Sequence, residues 1–190
     1  ARRFSLAKNA ERALAASDSG SGAEHAAMGH KMPAASCSPT WAQPSAGGGQ
    51  VFVACNKADE ILAIDTERWS VARRFKTGRG PYNLAVSADG RLLVATLKQG
   101  GATEIFDLSA GRSVATITSS APVTHGVVIS PDSRYAFVSS EGVGGAPGKV
   151  DVIDLRALVR VASVDVGLQA GGIAFWKTEP LAGSAHDKTQ

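Results

Sequence analysis

Apolar and polar positions in this chain alternate in short runs instead of recurring every three or four residues. "YNLAVSADGRLLVAT" (82–96) shows the unit: an apolar run, a Ser-Ala-Asp-Gly break, and a second apolar run. A period of two marks half-buried strands, and the break carries turn formers. Asp89 can bond the backbone of its own turn, and Gly90 supplies the conformational freedom needed there. "HGVVISPDSRYAFVS" (125–139) repeats the unit, with Ser130 standing 43 residues after Ser87. "TWAQPSAGGGQVFVAC" (40–55) is a third copy with a looser turn.

Each copy continues in the same way. "EILAID" (60–65), "TEIFD" (103–107) and "KVDVID" (149–154) read as third strands that end in Asp. "SVARRF" (70–75), "SVATIT" (113–118) and "RVASVDV" (160–166) read as fourth strands. One repeat is therefore four short strands, and a four-stranded unit of about 40–45 residues is the size of a propeller blade. The predicted fold class is all-β: a β-propeller of four-stranded antiparallel blades whose ring this chain does not complete. The blades are placed at 38–80, 81–122 and 123–168. Residues 169–177 ("AGGIAFW" at their heart) form the first strand of a further or closing blade, and 178–190 a disordered tail. Residues 1–17 read as a decayed partial blade or a short helix, and 18–37 as a flexible loop containing His and Met.

"GPYNLAVSADGRLLVAT", "THGVVISPDSRYAFVSS" and "VDVIDLRALVRVASVDVG" resemble the YVTN-type β-propeller repeat family, over roughly residues 38–176. The resemblance implies a ring of about seven blades and a periplasmic or cell-surface setting. It implies varied binding partners and no single activity, because related propellers include quinoprotein subunits and haem-binding nitrite reductases. Three full blades and two partial ones do not close such a ring. The expectation is a C-terminal portion of a longer propeller, with self-association through open blade edges.

Composition changes this picture little. Of 190 residues, 44% are hydrophobic and 21 are Gly, which fits short strands and tight turns. The net charge of +3 is scattered, and its densest spot, Arg73–Arg74–Lys76–Arg79, reads as solvated surface or a weak attraction for polyanions. Aromatic residues are too sparse for a nucleic-acid stacking surface. No run is long enough to span a membrane, and no signal peptide is visible in a chain that opens on Ala1. Cys37 and Cys55 sit at the same end of one predicted hairpin. Either they form a disulfide, which would imply an oxidising compartment, or they are two independent buried thiols.

Propeller geometry places the first strand of each blade along the channel, with its N-terminal end at the binding surface. The equivalent positions are Thr40, Tyr82, His125 and Gly171, followed by Trp41, Asn83, Gly126 and Gly172. Trp41, Tyr82, Asn83 and His125 are the candidate ligand-binding residues, and His125 can act as base, ligand or hydrogen-bond donor. The competing reading is that Tyr82 and His125 only bond neighbouring backbone. Asp65, Asp107 and Asp154 recur too regularly to be catalytic and read as turn caps. "EGVGGAPG" (141–148) lacks the strand–helix context of a phosphate loop, and reads as an expanded connection that carries Glu141 toward the binding surface. No catalytic motif stands out, so enzymatic activity is left undecided and a non-catalytic binding or scaffold module is favoured.

"EHAAMGHKM" (24–32) places His25, Met28, His30 and Met32 in a short span. Imidazole and thioether together suit copper, especially Cu(I), and Cys37 could add a thiolate if it is not oxidised. The competing reading is a plain linker. Copper is the candidate cofactor; otherwise none is expected. The partner is an unknown protein or small molecule. A copper-binding protein and a redox subunit housing its cofactor in the channel are the alternative functions.

Overall fold

The structure, a computed structural model, describes residues 37–179 in full and the backbone alone of 2–5 and 10–13. β1 (Arg2–Ser5) and β2 (Ala10–Ala13) form a two-stranded antiparallel hairpin. Three four-stranded antiparallel meanders follow. The first blade contains β3 (Pro39–Pro44), β4 (Gln50–Cys55), β5 (Glu60–Asp65) and β6 (Ser70–Lys76). The second contains β7 (Pro81–Val86), β8 (Leu92–Leu97), β9 (Ala102–Asp107) and β10 (Arg112–Thr118). The third contains β11 (Val123–Ile129), β12 (Tyr135–Glu141), β13 (Lys149–Asp154) and β14 (Val159–Asp165). β7 lies against both β3 and β11, so the first strands of the blades form the inner rim of an arc.

The turns explain why the pattern repeats. Ser87 Oγ accepts the Leu92 N–H at 2.9 Å, and Asp89 accepts both the Ser87 hydroxyl and the Arg91 N–H. Ser130 and Asp132 do the same for Tyr135 and Arg134. At the ends of β5, β9 and β13, the carboxylates of Asp65, Asp107 and Asp154 accept backbone N–H groups two or three residues on. Each of these turns closes on a left-handed residue: Trp69, Gly111 and Leu158. These Asp residues are the turn caps that their regular spacing suggests.

The core lies between blades. Phe52, Ile61 and Phe75 of the first blade pack on Leu84, Leu93 and Phe106 of the second, with Phe75 edge-on to both other rings. Ala85, Val94 and Ile105 of the second blade meet Val127, Val138 and Ile153 of the third. Cys37 and Cys55 are joined by a disulfide with Cα atoms 4.6 Å apart, beside Val53 and Leu62.

Residues 169–177 form no regular strand. They nevertheless run beside β11, where the Ser139 hydroxyl donates to the Gly171 carbonyl at 2.8 Å. No strand among the described residues pairs with the segment, so it lacks the ladder that would regularise it. Among the described residues no helix is long and apolar enough to cross a membrane.

Candidate functional site

The innermost pairs share one irregularity. In β7–β8 the register jumps between Pro81 and Leu84, and in β11–β12 between Thr124 and Val127. Tyr82–Asn83 and His125–Gly126 are the residues lifted out of the ladder, as in a bulge that re-aims side chains. The hydroxyls of the neighbouring strands satisfy the freed groups. Thr96 Oγ1 accepts the Asn83 N–H at 2.9 Å and donates to the His125 carbonyl at 2.8 Å. Ser139 Oγ accepts the Gly126 N–H at 3.0 Å and donates to the Gly171 carbonyl. In the first blade the link comes from the innermost strand itself, where the Thr40 hydroxyl donates to the Tyr82 carbonyl at 2.8 Å. One hydroxyl thus ties each innermost strand to the next.

The bulges bring Tyr82 and His125 together, with ring centroids 4.5 Å apart. Lys98 Nζ stands over the Tyr82 ring, also at 4.5 Å, a cation–π arrangement. His125 Nε2 lies 3.3 Å from Glu141 Oε1. Both of these side chains are partly exposed, so the pair stays open to solvent. Gly171 faces the imidazole: a Cβ there would stand 3.8 Å from its Cε1 and Nδ1. Nearby, the Asn56 amide donates to the Pro81 carbonyl and is itself held by Gln99. The result is a small mouth of two close, tilted rings, one cation and one carboxylate.

The structure places the other candidate residues elsewhere. Trp41, 44% exposed, lines a groove of about 350 Å³ farther along the inner rim with Leu84, Val86, Val127 and Phe175. Asn83 contributes a buried amide oxygen without a hydrogen-bond partner among the described residues. His25, Met28, His30 and Met32 lie outside the described residues. Cys37 is in a disulfide, which removes it as a thiolate ligand. Among the described residues no cluster of three or more His, Cys, Asp or Glu side chains is arranged to hold a metal ion. Lys98 is the member of the site that the sequence did not reveal. A register argument could have found it, because it directly follows Leu97, the partner of Pro81 at the start of β7.

Similarity to solved structures agrees with this architecture. The chain is similar to a structure of Kuenenia stuttgartiensis hydrazine synthase, with 22% identity and a TM-score of 0.64, covering 68% of this chain and 37% of that one. It is also similar to a structure of U3-55K and to a crystal structure of RRP9 WD40 repeats. Each is 14% identical with a TM-score of 0.61 over 73% of this chain, and the match spans 41% and 40% of their lengths. The chain therefore spans well under half the length of these structures. At such identities the likeness shows the fold alone: a β-propeller built of four-stranded blades. No family model and no curated protein sequence matches the chain.

Proposed function

We propose that this protein is a non-catalytic binding module of the propeller type, which takes its ligand at the mouth formed by Tyr82, Lys98, His125 and Glu141. The observation that carries this reading is the close, tilted Tyr82–His125 ring pair with Lys98 over Tyr82, aimed by the bulges of β7 and β11. Two ring faces beside an ammonium group suit a planar ligand, or a partner side chain, that bears an anionic group. The Cys37–Cys55 disulfide supports a periplasmic or extracellular setting, where such bonds persist. The repeats quoted above support kinship with YVTN-type propellers.

Benzoate is the simplest probe of the mouth. In a ¹H–¹⁵N titration, the amides of Tyr82, Lys98, His125 and Gly171 should move together. The shifts should vanish in Tyr82→Ala and His125→Ala while the rest of the spectrum stays in place. Shifts that are unchanged in both variants, or that centre on another surface, would falsify the assignment.

A further inference from the structure

The junctions between successive blades can be compared position by position. Between the first and second blades, the linker into β7 crosses over Leu97 and Glu104. Glu104 Oε2 accepts the Gly78 N–H at 2.9 Å, and a Cβ on Gly78 would stand 2.6 Å from Leu97 Cδ1. Between the second and third blades, the linker into β11 crosses over Ser140 and Asp151 instead. Asp151 Oδ2 accepts the Ser120 N–H at 2.8 Å. The anchoring bond is the same, but both supporting side chains are shorter, and the apolar one has become a hydroxyl.

This substitution leaves two orphans. Ser140 is 0% exposed and Asp151 2%, yet among the described residues neither Ser140 Oγ nor Asp151 Oδ1 has a hydrogen-bond partner. Their positions are diagonal on one face of adjacent strands, since Ser140 pairs with Lys149 and Val138 with Asp151. Diagonal neighbours stand about 7–8 Å apart at Cα, farther than two short side chains span directly. A buried oxygen without a partner is costly, and a water with several polar partners is the common remedy.

We propose that the junction contains a specific water-binding site, in which one ordered water bridges Asp151 Oδ1 and Ser140 Oγ. A cation suits the position less well. Asp151 is the only carboxylate on this face of β12 and β13, and Arg160 Nη1 already stands 3.8 Å from its Oδ2. The other polar groups of the face are committed elsewhere: the Thr124 hydroxyl donates to Ser119 Oγ at 2.8 Å, and Lys149 pairs with Asp165. The site lies one residue behind the mouth on β12, because Ser140 precedes Glu141. The water thereby braces β12, the strand that presents Glu141, against β13. This inference stands whether or not the mouth binds a ligand.

A high-resolution crystal structure of the full chain tests the proposal, together with the variants Ser140→Ala and Ser140→Leu/Asp151→Glu. The wild type should show one solvent peak within about 2.7–3.0 Å of both oxygens. The double variant restores the side chains of the preceding junction and should lose the peak while keeping the fold. Ser140→Ala, which removes only the hydroxyl, should keep a peak on Asp151 alone. A direct Ser140–Asp151 hydrogen bond, or no peak at all in the wild type, would overturn the proposal. So would a peak that acquires anomalous signal after a thallium(I) soak, which would identify a monovalent-cation site.

Discussion

Gly126 shows how much one side chain's absence decides. A Cβ there would come within 2.8 Å of both the Gly171 carbonyl oxygen and Ser139 Oγ. Those two atoms form the bond that seats residues 169–177 beside the third blade. Gly126→Ala must push one of them away, and overpacking of this kind costs about 1–3 kcal/mol. Urea denaturation should show a loss of that size, and amide exchange should speed up in 171–176 before it does in β12. Unchanged stability with unchanged exchange would mean that the seat does not depend on this close approach.

The turn carboxylates set an acid limit at the same scale. The Ser87 and Ser130 hydroxyls, together with turn N–H groups, hold Asp89 and Asp132 below the usual carboxylate value of 3.8. The Ser109 hydroxyl and the Ala110 N–H do the same for Asp107, and backbone N–H groups of the following turn for Asp65 and Asp154. A carboxyl depressed in the folded state binds its proton more readily when unfolded. Its contribution is therefore complete above 3.8 and is lost as pH falls through the folded-state value. The melting temperature should be level from neutral pH down to about 5 and should drop below 4. A rise on acidification would contradict this account.

At the scale of the element, the inter-blade aromatic contact outweighs any turn. Phe106 is 1% exposed and meets Phe75 edge-on at 5.7 Å across the junction of the first and second blades. Phe106→Ala should cost about 3–5 kcal/mol in chemical denaturation, and a loss below 1 would mean that the junction collapses around the gap. The strands that make this contact were legible in the sequence because their cause is local: alternation, Ser-x-Asp turns and terminal Asp caps. The meeting of Phe75 with Phe106 was not, because it joins residues that belong to two successive repeats. Tyr82 and His125 could be read as equivalent positions, whereas Lys98 over one ring follows only from the strand register. The bulges that aim the rings depend on the hydroxyls of Thr96 and Ser139, which look like ordinary strand residues. The cysteine pair was legible as a geometric option because the hairpin brings both residues to one end. That crosslink spans 18 residues, and in the chain-entropy account a loop of that length is worth about 3 kcal/mol. Mild reduction should lower the urea midpoint accordingly, and a midpoint insensitive to reductant would show that packing around Cys55 suffices.

For the whole molecule, the two faces of the third blade have different fates. One face is buried against the second blade. Away from that junction, Val161 and Val164 of β14 are each more than half exposed, and Trp176 is 88% exposed. β14 is also an edge strand, with no further strand hydrogen-bonded to it among the described residues. Exposed apolar surface next to an open edge is a template for pairing with another chain. The facing surfaces of the first two junctions show what fits such a face, namely another blade with alternating aliphatic residues, which a second copy of this chain carries. Concentration-dependent self-association should follow, visible by sedimentation velocity as a faster species that grows with loading. Val164→Lys places a charge in the middle of the face without touching the buried junction. It should suppress the faster species and leave the melting temperature unchanged. If the variant associates as strongly as the wild type, the contact lies on another surface; if the wild type stays monomeric at high loading, the exposed face alone does not drive pairing.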